Sequence, residues 1–202
     1  IFSVEKKGAF LKFFELLALQ SGGMFEAKSF SSPCGVSHTT IASYLQVMQA
    51  THIVFTVRPF HKKQAKEIIS VPKVYFFDTG LIHYFLGKTH FEESIKGALF
   101  EHLALNEMLS FIDRDEIHYW RDKAKHEVDF IIKRRGQDPI AIECKWAAAD
   151  FNTKNLEHFR KIHPKGINIL VAADIKKSRR KNINGFEIIL SSVHELPKVL
   201  GV

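Results

Sequence analysis

The sequence predicts a mixed α/β (α+β) protein in two parts, a winged helix-turn-helix over residues 1–89 and an α-β-β-β-α-β core over residues 90–202. Three observations lead there. Apolar residues recur at spacings of three and four in the opening stretch, a β-branched and aromatic run at 53–57 then feeds a basic loop, and from residue 97 a helical pattern gives way to three short strand-like runs.

Phe10, Phe13, Phe14 and Leu17 make the stripe of an amphipathic first helix, which Ser21-Gly22-Gly23 stops. A short second helix is expected at 26–30, before the turn signal Pro33-Cys34-Gly35. Ser37 is a natural N-cap for a third helix on which Ile41, Tyr44, Leu45 and Met48 share a face. Ile53-Val54-Phe55-Thr56-Val57 reads as a strand running through Arg58-Pro59-Phe60 into the basic loop His61-Lys62-Lys63, and residues 73–77 read as a second strand. Three helices and a two-stranded ribbon are the element order of a winged helix, whose third helix enters a major groove while the ribbon lies along the backbone. On that reading His38, Thr39, Thr40 and Ser43 face bases or phosphates, and Lys62, Lys63 and Lys66 contact phosphates. Between Ser37 and Thr51 there is no Lys or Arg, a poor endowment for reading sequence, so docking against protein is the competing expectation.

In the second part, residues 97–109 repeat at helical period, with Leu99, Leu103, Asn106 and Leu109 on one face and Glu101 at its edge. Strands are expected at 116–120, 127–133 and 139–145, a helix at 152–162 with Leu156, Phe159 and Ile162 inward, and a buried strand at 167–172.

Asp129 falls in the middle strand and Glu143 and Lys145 close the third. A strand repeats every two residues, so Glu143 and Lys145 point to the same face of a segment that is otherwise apolar. Burying a carboxylate and an ammonium there is costly unless they are paired or hold a metal. With Asp129 beside Glu143 on the neighbouring strand, the two carboxylates form a hard oxygen site suited to Mg²⁺ or Mn²⁺. Lys145 then orients or helps deprotonate an attacking water, and Glu101 adds a carboxylate from the preceding helix, the constellation of a nuclease. The bland reading is a Glu143–Lys145 ion pair on an exposed strand.

The chain resembles a family of C-terminal domains of unknown function that lie behind an AAA-type ATPase module in many bacterial and archaeal proteins. The resemblance spans nearly the whole sequence and is carried by residues 35–40, Pro72-Lys73-Val74-Tyr75-Phe76-Phe77-Asp78-Thr79-Gly80-Leu81, Gly97-Ala98-Leu99-Phe100-Glu101, Tyr119-Trp120-Arg121, Glu127-Val128-Asp129-Phe130 and Ile142-Glu143-Cys144-Lys145. It implies a winged helix followed by a restriction-endonuclease-like core of the PD-(D/E)xK superfamily, with Glu101, Asp129, Glu143 and Lys145 at the active-site positions. Two residues depart from the pattern. His102 stands where Asn commonly follows the helix Glu, and Trp146 replaces a small polar residue after the Lys and is expected to narrow the site. An upstream ATP-binding module is implied as partner. The chain has no GxxxxGK[ST], its nearest approach being residues 22–29, so ATP is expected only through that module.

Composition sets the outer bounds. Lys plus Arg number 29 against 22 Asp plus Glu, a net charge of +7, which excludes an acidic solvating chain. Ten of those cations against five acids lie in residues 1–89, and such an excess favours a polyanion, DNA first, or is simply a solvated face. At 46% hydrophobic residues the chain is no disordered tail, and no stretch reaches the roughly 20 apolar residues of a membrane span. Cys34 and Cys144 belong to no CxxC, so a reducing cytoplasm is expected. The opening IFSVEKKGAF, without Met or signal sequence, reads as a piece of a longer protein. The run Lys176-Lys177-Ser178-Arg179-Arg180-Lys181 either tracks phosphates or forms a solvated loop, and the 18 Phe point to a Phe-rich core. His118, His126, His158 and His163 show no ligand spacing and receive no role. The first functional expectation is a metal-dependent DNA nuclease domain gated by an ATPase. The alternative is a non-catalytic module that binds nucleic acid or protein and regulates that ATPase. A docking scaffold is the third.

Overall fold

The computed structural model describes residues 6–61, 70–87 and 92–201, and the chain forms two compact units. The first comprises residues 1–57 and 71–92, the second residues 58–70 and 93–202.

In the first unit α1 (Lys7–Leu19), α2 (Ala27–Cys34) and α3 (His38–Ala50) precede β1 (Val54–Pro59), whose last two residues belong to the second unit, then β2 (Lys73–Phe76) and α4 (Thr79–Phe85). The helix-helix-helix-strand-strand order is the one the periodicity predicts. Ser37 caps α3, its Oγ accepting from Thr40 N at 3.1 Å, and Ile41, Tyr44, Leu45 and Met48 are all buried. β1 and β2 run antiparallel from Val54↔Phe76 to Val57↔Lys73. The expected Phe-rich core is present: the buried Phe13 ring lies edge-on to Phe30 at 5.3 Å, and Phe30 stacks on Phe25 at 5.4 Å. One boundary differs. α2 runs through Pro33 to Cys34 instead of turning there, because Gly35 (φ 63°) provides the left-handed stop, with Val36 N donating to Ser31 O and Gly35 N to Ser32 O.

The second unit contains α5 (Glu93–Leu109), β3 (Ile117–Arg121), β4 (Glu127–Ile132), β5 (Ile140–Lys145), α6 (Lys154–Ile162), β6 (Asn168–Ala172), β7 (Arg179–Ile183), β8 (Phe186–Ser191) and α7 (Leu196–Leu200). Its sheet has the order β3-β4-β5-β6-β8-β7, and Arg58 and Pro59 pair in parallel with His118 and Tyr119 of β3. β3, β4 and β5 form an antiparallel meander, and β6 then joins β5 in parallel, Ala141↔Asn168 to Lys145↔Ala172. A parallel neighbour requires a long crossover, which α6 provides. Leu156 and Phe159 of α6 pack with Trp120, Val128 and Leu170 in one core. β5 is buried along nearly its whole length, which is why it reads as an apolar run apart from Glu143 and Lys145.

Three details depart from the expected pattern. Leu103 is 50% exposed, and the inward side of α5 is instead Phe100, Ala104, Leu105 and Met108 together with Leu99 and His102, since the helix meets both β5 and α7. Ile162 is 49% exposed, and Arg160 of the same helix is buried in its stead. The second half of the basic run, residues 179–181, opens an edge strand, β7, rather than a loop, with Arg179, Arg180 and Lys181 exposed along the rim, where cations discourage pairing with another sheet. Among the described residues no helix is long and apolar enough to cross a membrane.

Candidate active site

The register Phe130↔Ile142 between β4 and β5, extended by one pair, sets Asp129 opposite Glu143. The ladder gives way there to a side-chain bond: Asp129 Oδ2 accepts from Cys144 N at 2.8 Å. Lys145, two residues after Glu143 on the same face, directs Nζ between the carboxylates, 2.9 Å from Glu143 Oε2 and 3.5 Å from Asp129 Oδ2. α5 brings Glu101 to the same place. Glu101, Asp129, Lys145 and Trp146 line a cleft of about 370 Å³, which the first turns of α5 also border.

Two carboxylates around one ammonium leave an excess of negative charge in a half-closed site. Glu143 bears the consequence. Burial and the Asp129 charge push its carboxyl up to about 8, against the pull of Lys145, and its Oε1 is buried with no hydrogen-bond partner among the described residues. Burial pulls the Lys145 ammonium down, but the charges of Asp129 and Glu143 outweigh it and hold the group protonated above its ordinary range. Burial raises the Cys144 thiol well above the usual thiol range.

Trp146 stands at the wall without filling the cleft. Its ring meets Phe100 edge-on at 6.1 Å, Lys96 Nζ lies 5.2 Å from its centre, Glu93 pairs with Lys96, and 43% of the side chain stays exposed. His102 turns into the core, its Nδ1 2.7 Å from Ala98 O.

Of the other predicted contact residues, His38, Thr39, Thr40 and Ser43 lie in the first unit. His38 and Thr39 are exposed at the start of α3 and Thr40 is half-buried. Ser37 Oγ gathers the Thr39 and Thr40 hydroxyls at 2.7 and 2.8 Å, and Ser43 Oγ donates to Thr39 O at 3.1 Å. Lys62, Lys63 and Lys66 lie outside the described residues.

Sequence reasoning missed two clusters. Arg160 is buried in a ring of acceptors, donating from Nε to Asn168 Oδ1 at 2.7 Å and from the guanidinium to the carbonyls of Pro139, His163, Lys165 and Ile167. Burial lowers it to about 10. His126 and His158, given no role above, come together although 32 positions separate them, and no spacing rule connects two residues on different elements.

The comparisons with known proteins divide the chain in much the same way. Residues 1–92 match a family described as "Domain of unknown function (DUF8612)", and residues 96–190 match one described as "Domain of unknown function (DUF4143)". Uncharacterized proteins of Mycobacterium bovis and Mycobacterium tuberculosis are each 28% identical over 134 residues, covering 64% of this chain. The chain spans only 30% of the length of these curated relatives. A solved half-complex from a tetradecameric assembly of Thermococcus gammatolerans McrB AAA+ hexamers with bound McrC aligns with 89% of this chain and 46% of its own, at a TM-score of 0.35 and 7% identity, a likeness too faint to carry fold or function across.

Proposed function

We propose that the second unit is a metal-dependent phosphodiesterase of the PD-(D/E)xK nuclease type, acting on DNA, and that the first unit is a winged helix that helps hold the substrate. The observation that carries this reading is the junction of Asp129, Glu143 and Lys145 at the base of an open cleft, with Glu101 on its wall. The donor set fits a hard divalent ion. Two carboxylates face each other, one is held at about 8 and keeps a buried oxygen without a partner among the described residues, and Lys145 alone does not offset both charges. Mg²⁺ or Mn²⁺ bound to Asp129 and Glu143 supplies Lewis-acid polarisation of the scissile phosphate. Lys145, held protonated, serves as a positive donor that orients the attacking water or a phosphate oxygen rather than as a base. Glu101 adds a carboxylate at the cleft wall, directly or through a water. From the resemblance of the sequence we place an AAA-type ATPase module upstream as the regulatory partner.

A second reading has its own support. Lys145 already lies within reach of both carboxylates, so the pocket is partly neutralised from within, which suits a non-catalytic module that binds nucleic acid or protein. Calorimetric titration with Mn²⁺ and Mg²⁺, with an Asp129→Ala, Glu143→Ala double variant as control, followed by incubation with linear and circular DNA, separates the two. The nuclease reading expects metal binding and nicking by the wild type alone. Absence of metal binding in both proteins sinks it in favour of the binding module.

A further inference from the structure

A second cluster of metal-ligating side chains lies in the second unit, apart from Asp129 and Glu143. His126 ends the turn between β3 and β4, and His158 sits in the middle of α6. Their rings are nearly parallel, with planes 11° apart and centres 3.5 Å apart. Asp122 is anchored to the same turn. Its Oδ2 lies 2.7 Å from His126 Nδ1 and its Oδ1 accepts from His126 N at 2.9 Å. The backbone fixes that grip, Asp122 N donating to His126 O at 3.0 Å and Lys125 N to Asp122 O at 3.1 Å, with Lys125 at φ 68°. All three side chains are half-buried, and one donor atom from each lies within 4.8 Å of the other two.

We propose that Asp122, His126 and His158 form a binding site for a divalent transition-metal ion of the Zn²⁺ class. Two imidazole nitrogens and a carboxylate oxygen are the ligands such ions take at about 2.0–2.2 Å, whereas Mg²⁺ prefers oxygen donors. Binding opens the pair Asp122 Oδ2 and His126 Nδ1 to about 3.3 Å, one tetrahedral edge, and turns the His158 ring out of the stack, because a nitrogen lone pair lies in its ring plane and two parallel rings cannot aim theirs at one ion. Binding at Nδ1 moves a proton: a neutral His126 shifts it to Nε2, and a protonated His126 releases it to water. Water completes the coordination on the exposed side. The ion staples the β3–β4 turn to α6, two elements that local sequence does not connect.

The test titrates the whole chain with Zn²⁺, and with Co²⁺ as a coloured probe, in an Asp129→Asn, Glu143→Gln background that removes the other acidic site. One equivalent is expected to bind, to raise the melting temperature and to give a Co²⁺ spectrum with nitrogen ligation, unaffected by millimolar Mg²⁺. His158→Phe keeps a stacked ring without a donor and is expected to weaken Zn²⁺ at least about tenfold, and Asp122→Asn about 10- to 100-fold. Affinity falls as the pH is lowered, because protons compete with the ion for the ligand atoms. Absence of Zn²⁺ binding, or binding that both substitutions leave unchanged, overturns the proposal. Circular dichroism of each variant shows whether a loss reflects the ligand or the fold.

Discussion

At the scale of single residues, Glu143 ties the site to the stability of the fold. Its folded value of about 8 lies above the value near 4.5 it has when free, so the fold keeps a proton that the unfolded chain releases. The contribution of Glu143 to stability is therefore full below about 4.5 and is lost as pH climbs towards about 8. The metal-free protein is expected to melt progressively lower across that interval, with Glu143→Gln flattening the profile and Mn²⁺ restoring stability at the alkaline end; melts at stepped pH with and without metal measure both. Lys145 works in the opposite sense. Lys145→Met leaves Asp129 and Glu143 facing each other uncompensated, and urea titration near neutral pH is expected to show a loss of about 1–3 kcal/mol.

Among the elements, the β5–α6–β6 crossover depends on groups that have nothing to do with chemistry. Arg160 satisfies four carbonyls and the Asn168 amide in a space closed to water, so Arg160→Met is expected to cost about 2–4 kcal/mol in denaturant unfolding. Gly166, at φ 115°, passes so close to β5 that a Cβ would stand 2.1 Å from Pro139 O. Gly166→Ala is expected to lose about 2 kcal/mol or more, read in the same experiment. Periodicity places α6 correctly and marks Leu156 and Phe159 as inward. It fails at Ile162 and Arg160 because a guanidinium with carbonyls to bind is drawn in ahead of an alkyl chain at the helix end, and no local pattern shows where those carbonyls will be. α5 fails at Leu103 for a related reason: a helix touching both a sheet and another helix has no single apolar stripe.

For the molecule as a whole, the excess of seven positive charges makes a salt-dependent association with polyanions the expected behaviour. With three or four phosphate contacts, DNA affinity is expected to fall about 40- to 150-fold between roughly 50 and 200 mM salt. Replacing Arg179, Arg180 and Lys181 of the β7 rim by Ser is expected to reduce the slope of log affinity against log salt by about one for each cation that touches a phosphate. Fluorescence anisotropy at several salt concentrations reads the slope, and an unchanged slope removes β7 from the interface.

The sequence by itself determined the element order from α1 to β2 and from α5 to β6, the strands that carry Asp129, Glu143 and Lys145, the Ser37 cap and the aromatic core, because each follows from local periodicity, turn chemistry or side-chain type. Within β5 the two-residue repeat was enough to set Glu143 and Lys145 on one face. The tertiary structure alone decided what lies across a distance in sequence. The β4–β5 register brings Asp129 to Glu143, the α5 packing turns Glu101 to the cleft, and the meeting of a hairpin turn with α6 stacks His126 on His158. Burial completes the division: a carboxyl titrating near 8 and an arginine ringed by carbonyls are properties of a water-poor interior, which exists only once the layers have closed.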